Sequence, residues 1–497
     1  MAKVTTIIDI GSNSARMAIF QKTSRYGFHL IHELKSKVRI SEGSYENNSY
    51  LQPPAIQRGI DALKEFKHIS KTFKSKKLIC VATSAVRDAP NRSEFVSRAR
   101  KECGIDIKVI NGKKEAYFGA LACANLLHNK NGVTIDIGGG STELACIENG
   151  EIKRTISLNL GSIRLKELYF DHDKIKDAYK FARKYVKENI GEIKEFCQDS
   201  KLSENLAMFG IGGSIRAFAK YEMDLENYMF NFLHGYELSS ERILRHLEAI
   251  VAASNKELRE MGFEDSRLDS IRPGLLILQV IIEELNAKKL IISGVGVREG
   301  AFLNDMLRNH KGKIPNNINP SVRSLQDIFL TNVNDSKNII KRVRVLFSLL
   351  RERYGLKKHF LEELEIAGKL YNIGTNFNFY QAHKHSAYIA LHSLNYGLSH
   401  KQRYTIATLI EYSAKKRPKF SEEDSKLLPN FEILGILSFI LALSAAVAKE
   451  DSIKFELRKN VLCAITSSLP VSQILQDITL PKLESMPSLE FEIIRVG

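Results

Sequence analysis

Short β-branched apolar runs alternate with longer amphipathic stretches in the N-terminal part of the chain. Apolar residues at every second position predict strands, and apolar residues three and four apart predict helices. We therefore expect hairpin strands at 5–20 and 29–39, a helix at 54–73, a strand at 78–82, a helix near 92–102, a strand at 107–110 and a helix at 114–127. This alternation is typical of α/β layering.

The pattern begins again at Gly132 with a second strand, turn and strand. A long amphipathic helix near 174–196 and two strand-and-glycine segments at 206–213 and 290–296 follow. The stretch 310–320 is rich in Gly, Pro and Asn and predicts a linker. From 321 to about 470 we expect helices throughout, and then a short β-capable tail ending at 491–494. The predicted organisation is domains at 1–124, 125–308 and 321–497, with a linker at 309–320.

The tetrapeptide Ile-Asp-Ile-Gly occurs at residues 8–11 and again at 135–138, each time before glycine and hydroxyl residues. Each copy predicts a strand, a tight turn and a return strand. Glycine permits positive φ and lets backbone N–H groups approach an anion. A single copy would be an ordinary hairpin with an Asp-capped loop. Two copies indicate a duplicated α/β domain whose halves enclose a phosphate-binding cleft.

Charge narrows the choice of partner. The 73 Lys and Arg residues against 57 Asp and Glu residues give a net charge of +16 and a pI of about 9.3. This balance favours nucleic acid, acidic lipid or polyphosphate. The lack of Trp, of an Arg-rich tail and of zinc-finger spacing gives no support to a sequence-specific nucleic-acid module. The six cysteines lack Cys-x-x-Cys spacing and indicate reduced thiols of a cytoplasmic protein.

Neither a secretory signal nor a membrane span is expected. The first residues enter a strand almost at once, which leaves no room for the regions of a signal peptide. The longest apolar run, 433–448, is shorter than the ~20 residues that a membrane span needs. We expect it to form a buried helix.

Four glycine turns are candidates for phosphate binding, at 11–14, 138–142, 210–214 and 293–296. The last two lack the full Gly-x-Gly-x-x-Gly spacing of a dinucleotide site. The chain has no Gly-x4-Gly-Lys-Ser/Thr sequence, which excludes a P-loop nucleotide hydrolase as far as a motif can.

Several motifs together are similar, in order and spacing, to the bacterial exopolyphosphatase and guanosine pentaphosphate phosphatase family. They lie at 8–14, 82–91, 111–116, 135–143, 210–216, 267–274 and 297–300. The resemblance implies duplicated α/β domains of the actin-like, sugar kinase and Hsp70 superfamily, which are ribonuclease H-like and enclose a cleft. It also implies an all-α C-terminal domain that resembles HD-type phosphohydrolases.

The resemblance assigns roles to particular side chains. Glu115 is expected to be the general base, and Glu143 to hold the attacking water or its metal. Asp136 and Asp9 are expected to ligate Mg²⁺, directly or through water, because Mg²⁺ prefers oxygen ligands. The implied phosphate-binding residues are Gly11, Ser12, Asn13, Ser14, Arg87, Gly138, Gly139, Gly140, Ser141, Thr142, Gly212, Gly213, Ser214 and Arg267.

Each role has a structural alternative. Glu115 could be a first-turn carboxylate that complements a helix dipole. Asp9 and Asp136 could cap their turns. Arg267, and Arg16 as a further candidate, could be ordinary surface arginines, because most arginines are exposed.

The C-terminal part departs from the HD pattern. Tyr371 and Asn372 stand where the family would have the His-Asp pair of a metal site, although His383 and His385 remain. Two histidines make a poor site for a divalent cation without a carboxylate. We therefore expect a helical scaffold that lines a substrate channel or supports a dimer.

The sequence as a whole favours a Mg²⁺-dependent phosphohydrolase. Its expected substrates are guanosine pentaphosphate, converted to the tetraphosphate, inorganic polyphosphate, or both. A homodimer is plausible by family analogy. Two other functions stay open, namely a non-catalytic sensor of the alarmone or polyphosphate, and an actin-like ATPase or sugar kinase.

Overall fold

The computed structural model of the protein describes residues 3–44, 47–172, 174–199, 205–329, 333–413, 420–450 and 453–496. The chain divides into two compact units, one of Met1–Lys22 with Phe28–Asn316 and one of Thr23–Gly27 with Asn317–Gly497. The division after Asn316 falls inside the stretch predicted to be a linker.

The first unit contains two mixed β-sheets. The five strands of the first sheet are β1 (Val4–Ile10), β2 (Ala15–Lys22), β3 (Phe28–Ser36), β4 (Lys77–Ala82) and β5 (Ile107–Val109), in the order β3-β2-β1-β4-β5. The six strands of the second are β6 (Gly132–Ile137), β7 (Thr142–Glu148), β8 (Glu151–Leu158), β9 (Ala207–Ile211), β10 (Glu237–Ser239) and β11 (Lys289–Ile292), in the order β10-β11-β9-β6-β7-β8.

The two sheets share one topology. Strand β1 pairs antiparallel with β2 and parallel with β4, just as β6 pairs antiparallel with β7 and parallel with β9. In each sheet a third antiparallel strand continues the hairpin outward. The duplication that the repeated tetrapeptide predicts is therefore confirmed.

The helices of this unit cover the sheets. They are α1 (Pro53–Thr72), α2 (Ser84–Asp88), α3 (Arg92–Arg98), α4 (Gly112–Leu126), α5 (Ser162–Leu168), α6 (Ile175–Asn189), α7 (Gly191–Asp199), α8 (Gly213–Leu225), α9 (Ser240–Ala252), α10 (Asn255–Glu260), α11 (Leu268–Leu285) and α12 (Val297–Met306). One π-helical turn (Ala99–Cys103) follows α3, and one 3₁₀ turn (Phe170–His172) follows α5.

The strands and helices predicted before residue 128 are confirmed to within a few residues. The single helix predicted at 174–196 is wrong, because α6 ends at Asn189 and α7 begins at Gly191. Asn189 and Gly191 are weak helix formers, and they interrupt the helix here. The spacing of apolar residues continues across them, so it did not predict the break. Helix α11, which the apolar pattern did not single out, is the long buried helix of the second sheet.

Helix α4 follows the first sheet in the chain but packs on the second, and helix α12 follows the second sheet but packs on the first. Ala120 and Cys123 of α4 join the core of the second sheet with Phe209 and Ile291. Phe302 of α12 stacks on Phe20 of the first sheet, with the ring centroids 4.5 Å apart. The predicted domain boundaries at 124 and 308 stay a proposal. Helix α4 runs across the first of these boundaries and packs in the core of the second sheet.

The second unit is mainly helical. Its helices are α13 (Pro320–Phe329), α14 (Val333–Arg351), α15 (His359–Leu370), α16 (Ala382–Ser393), α17 (His400–Tyr412), α18 (Glu422–Leu427), α19 (Phe431–Ala446) and α20 (Leu469–Gln476), with 3₁₀ turns at Ile373–Asn376 and Phe379–Gln381. Helix α19 is the buried helix expected from the apolar run. Within the described ranges, none of the helices combines the length and the hydropathy that a membrane span requires.

The prediction of helices throughout 321–470 needs one correction. Strands β12 (Lys454–Arg458), β13 (Val461–Thr466) and β14 (Glu490–Arg495) form a three-stranded sheet in the order β12-β13-β14. A β-capable tail was expected at the end of the chain, but the two strands that form a sheet with it were not predicted. Strand β13 pairs in parallel with β14 across an intervening helix, and a pattern read along the chain carries no signal for such a pairing.

A close approach between α4 and α12 generates a prediction. A Cβ added at Gly300 would lie 1.9 Å from the backbone oxygen of Phe118, whereas a Cβ at Gly191 would meet nothing within 4 Å. We expect Gly300→Ala to lower the free energy of unfolding by about 1–3 kcal/mol, because the backbone must shift. The matched control Gly191→Ala should be neutral or slightly stabilising. Equal denaturant midpoints for the two variants would contradict this packing.

Candidate active site

The two glycine turns of the repeat face each other. Gly11 N–H donates to Ser14 O over 3.2 Å in the first turn, and Gly138 N–H donates to Ser141 O over 2.9 Å in the second. A Cβ added at Gly139 would lie 2.8 Å from Cβ of Ser12, so the turns touch where only glycine fits. The structure therefore brings the two predicted phosphate turns together.

An aspartate precedes each turn. Asp9 lies opposite Arg16 in the first hairpin, and Asp136 lies opposite Glu143 in the second. Burial raises the pKa of each aspartate from 3.8 to about 6, although nearby arginines oppose the shift. Asp9 keeps some accessible surface, but its Oδ1 atom is buried and has no hydrogen-bond partner among the described residues. An anionic oxygen left in this state fits a divalent cation or a bound water.

Glu115 lies in the first turn of α4, behind a cap in which Asn111 Oδ1 accepts from Lys114 N–H at 2.8 Å. Its Oε2 accepts from Nη1 of Arg87 at 2.7 Å, and Arg87 also donates to Ile110 O at 3.3 Å. Burial raises the pKa of Glu115 to about 8 against the opposing effect of Arg87. The structure thus joins two of the predicted site residues in one partly buried ion pair.

Glu143 is 1% exposed and accepts from the Ser157 hydroxyl at 2.8 Å. Burial, together with the negative charges of Glu115 and Asp136, raises its pKa well above the ordinary value. The side chains of Glu115, Glu143 and Asp136 are therefore close enough to influence one another electrostatically. Even so, no group of three or more His, Cys, Asp or Glu residues in the described part of the chain is arranged to hold a metal by itself.

A pocket of about 160 Å³ lies on one side of the two turns. The predicted residues that line it are Asp9, Gly11, Ser12, Asn13, Ser14, Asp136, Gly138, Gly139, Gly212, Gly213, Ser214 and Arg267, together with Arg16. Gly212 has φ +103°, and a Cβ there would lie 2.8 Å from Ile137 O, so this turn also depends on glycine. Most of the predicted phosphate set therefore shares one cavity.

The remaining predicted residues do not line this pocket. Ser141 and Thr142 are buried, and the Thr142 hydroxyl donates to Leu160 O at 2.6 Å. Gly140 O accepts from Nε of Arg164 at 3.0 Å. The pocket lining also lacks Arg87, Glu115 and Glu143, whose contacts are given above.

Sequence reasoning missed two arginines of the pocket. Arg298 donates from Nη1 to Oε1 of Glu33 at 2.7 Å, and Arg16 approaches the same oxygen at 3.5 Å. Arg216 donates to the backbone oxygens of Gly212 and Gly294 at 3.1 and 3.2 Å. Both arginines belong to motifs that carried the family resemblance, at 210–216 and 297–300. Each follows a glycine turn near the start of a helix, and this position was the available signal that it belongs to the pocket.

Tyr371 and Asn372, which stand where an HD domain would have its His-Asp pair, lie in the turn after α15. Tyr371 is largely buried and its hydroxyl hydrogen-bonds Ser413, while its backbone oxygen accepts from Ser386 Oγ at 2.8 Å. Asn372 O accepts from the Thr375 hydroxyl at 2.7 Å. Both residues thus take part in the turn between α15 and α16.

Two family models match the chain. The model of the Ppx/GppA phosphatase family matches residues 18–309, and the model of Ppx/GppA phosphatase domain III matches residues 319–467. The matches leave little of the chain between them and follow the division into two compact units. They confirm the resemblance inferred from the motifs.

Similar proteins support the same assignment. A bifunctional 3-dehydroquinate synthase/phosphatase from Fusobacterium nucleatum is 30% identical over 310 residues, which is 60% of this chain and 46% of that protein. The chain therefore spans about half the length of this curated relative.

The solved structures extend the likeness to the fold. The Aquifex aeolicus member of the Ppx/GppA family is 27% identical, with a TM-score of 0.53 over 62% of this chain and 99% of that one. An exopolyphosphatase from Cytophaga hutchinsonii is 21% identical, with a TM-score of 0.57 over 63% of this chain and 100% of that one. The actin-like α/β fold of the duplicated part is thereby confirmed.

The raised pKa of Asp9 has a consequence for stability. The pKa of Asp9 is raised from 3.8 to about 6 in the folded protein, so its ionised form lowers the free energy of unfolding. This destabilisation is complete above pH 6 and is absent below pH 3.8, where Asp9 is protonated in both states. We expect Asp9→Asn to raise the free energy of unfolding in EDTA at pH 7.5 by up to about 3 kcal/mol. The melting temperature should rise accordingly. The gain should shrink as the pH falls to 5.

Asp224, which is exposed on α8, offers a matched control. Asp224→Asn should leave the melting temperature unchanged at both pH values. A lower melting temperature for Asp9→Asn than for the unmodified protein at pH 7.5 would show that favourable contacts, and not an unrelieved charge, hold Asp9 in place.

Proposed function

Because the chain belongs to the Ppx/GppA phosphatase family, we propose that it is a Mg²⁺-dependent phosphohydrolase. It releases the terminal phosphate of guanosine pentaphosphate, of inorganic polyphosphate, or of both. The observation that carries this proposal is the contact between two glycine turns, each preceded by a partly buried aspartate with a raised pKa. The homodimer and the cytoplasmic location expected from the sequence stay predictions.

The turns and the arginines suit a phosphate chain. Backbone N–H groups of the two turns can approach phosphoryl oxygens because glycine leaves room for them. The guanidinium groups of Arg16, Arg216, Arg267 and Arg298 add positive charge along the same pocket. A planar guanidinium binds phosphate through two parallel hydrogen bonds, so these groups would orient the chain as well as neutralise it.

The residues present fit a magnesium ion. Mg²⁺ is usually held by one or two carboxylates, waters and substrate phosphates, and does not require a complete protein cage. Asp9, with its unpartnered buried oxygen, and Asp136 would hold the ion. When bound, it would withdraw charge from the phosphoryl oxygens of the substrate.

Glu115 is the proposed general base. Arg87 donates to its Oε2, so Oε1 is the oxygen that would accept the proton of the attacking water. The water oxygen forms a bond to the terminal phosphorus while its proton passes to Glu115. The bond from phosphorus to the bridging oxygen breaks, and the shortened chain leaves with the electron pair. Glu143, fixed by Ser157, would orient the water.

Parallel assays test the proposed function. Phosphate release from guanosine pentaphosphate, long-chain polyphosphate and ATP is measured with the full chain and Mg²⁺. The proposal expects rapid release from one or both of the first two substrates and slow release from ATP. A dominant rate on ATP would indicate an actin-like ATPase or kinase, and tight binding without release from any substrate would indicate a sensor.

A substitution at Glu115 tests its role as the base. Glu115→Gln should keep the fold and substrate binding but lower kcat by about 10²–10⁴-fold, because an amide cannot accept the proton of the water. Glu241 offers a matched control, since it is also a first-turn helix carboxylate but is exposed. Glu241→Gln should keep the full kcat. A near-normal kcat in Glu115→Gln would transfer the role to Glu143.

A substitution at Asp136 tests its role as a metal ligand. Asp136→Ala should raise the Mg²⁺ concentration that gives the half-maximal rate, because one of the two proposed ligands is lost. Asp224→Ala should give the Mg²⁺ curve of the unmodified protein. An unchanged curve in Asp136→Ala would make Asp136 a structural residue of its turn.

A further inference from the structure

The short helix α2 lies between the first phosphate turn and the proposed base. At its start, the hydroxyl groups of Ser84 and Ser12 form a hydrogen bond of 3.2 Å. Near its end, Nη1 of Arg87 donates to Oε2 of Glu115 at 2.7 Å. Both ends of this helix therefore contact residues of the candidate active site.

Asp88, the last residue of α2, contacts two guanidinium groups. Its Oδ1 lies 3.5 Å from Nε of Arg87, and its Oδ2 accepts from Nη2 of Arg164 at 3.0 Å. The side chains of Asp88 and Arg164 are only 26% and 23% exposed, so water and salt screen their attraction in part. One carboxylate thus holds the arginine that contacts Glu115 and a second arginine from the other half of the duplicated domain.

Arg164 lies in α5 and is bound to the second phosphate turn. Its backbone N–H donates to Gly139 O at 3.0 Å, and its Nε donates to Gly140 O at 3.0 Å. A guanidinium group presents its donors in a fixed plane, so Nε can bind the turn while Nη2 binds Asp88. The side chain of Arg164 therefore joins the turn to α2.

A continuous series of contacts links the second phosphate turn, at 138–142, to the proposed base. Its members are Arg164, Asp88 and Arg87, and we call them the arginine–aspartate bridge. We propose that Asp88 and Arg164 are positioning residues, which hold Glu115 in line with a phosphate bound at this turn. The inference rests on the proposed function, because it takes Glu115 as the base and the turn as a phosphate site.

Such a bridge matters because different elements carry the base and the phosphate turn. Glu115 lies on α4, whereas the turn connects β6 to β7. Attack is efficient only when the reacting atoms are held about 3–3.5 Å apart and aligned. Neither Asp88 nor Arg164 lines the pocket. We therefore expect the two residues to affect the rate of the chemical step and not the binding of substrate.

Steady-state kinetics of the full chain test the proposal, with the polyphosphate or guanosine pentaphosphate substrate that the unmodified chain hydrolyses faster. Arg164→Met should lower kcat by about 10–100-fold and leave KM unchanged, because the base loses its alignment while the pocket keeps its groups. Arg164→Lys should restore little activity, since one ammonium group cannot make both contacts. Arg259→Met, which breaks an exposed ion pair with Asp265, should keep the full kcat.

Equal kcat values in Arg164→Met and Arg259→Met would overturn the proposal. So would a raised KM with an unchanged kcat, which would make Arg164 a substrate-binding residue. If Arg164→Met fails to fold, Asp88→Asn takes its place, because it removes the charge of the bridge without changing the size of the side chain. The same loss of kcat at constant KM is then expected.

A double-mutant cycle tests the bridge without relying on catalysis. Arg164→Met and Glu115→Gln should change the free energy of unfolding non-additively, because Asp88 and Arg87 connect the two side chains. In the Asp88→Ala background, where the bridge is cut, the same two substitutions should become additive. Additivity in the unmodified background, or coupling that survives Asp88→Ala, would overturn the proposal.

The two measurements distinguish this proposal from the proposed function. Absence of phosphate release by the unmodified chain would contradict the proposed function, whatever the cycle shows. Normal release by the unmodified chain, together with a full kcat in Arg164→Met, would contradict the positioning role alone.

Discussion

The burial of negative charge beside two touching turns is the constraint on which the rest of the structure depends. Asp9, Asp136, Glu115 and Glu143 all have pKa values raised mainly by burial. Ionised carboxylates are stable in such surroundings only when cations or hydrogen bonds balance them. The ion pair with Arg87 balances Glu115 in part, and the buried Oδ1 of Asp9 has no partner among the described residues. This unbalanced charge is what the proposed magnesium ion would neutralise when it binds together with a substrate phosphate.

The duplicated hairpin explains how the chain concentrates this charge. Strand register places one residue opposite each aspartate, and that residue is Arg16 in the first hairpin and Glu143 in the second. Most residues of both hairpins are buried, so a slip of either strand pair would change which side chains pack on each side of the sheet. One copy of the repeat thus supplies a positive group and the other a second carboxylate. In the proposed mechanism, the first of these groups would bind the phosphate and the second would orient the water.

Local patterns predicted much of this arrangement. The repeated tetrapeptide indicated both hairpins and both turns, because strand, glycine and hydroxyl residues are contiguous in the chain. Contacts between distant residues left no such signal. Arg298 reaches Glu33 across 265 positions, and Glu143 accepts from a serine on a neighbouring strand. The three-stranded sheet of the second unit was missed for the same reason, since β14 pairs with a strand that an intervening helix separates from it.

Hydrolysis in H₂¹⁸O tests most directly the claim that this site activates water against a terminal phosphoryl group. Phosphate released from guanosine pentaphosphate or polyphosphate by the full chain is analysed by mass spectrometry after a single turnover. The account predicts one ¹⁸O atom in each released phosphate, because the new bond to phosphorus comes from water. Product phosphate without the label, or a phosphoryl group recovered on an acceptor, would contradict it.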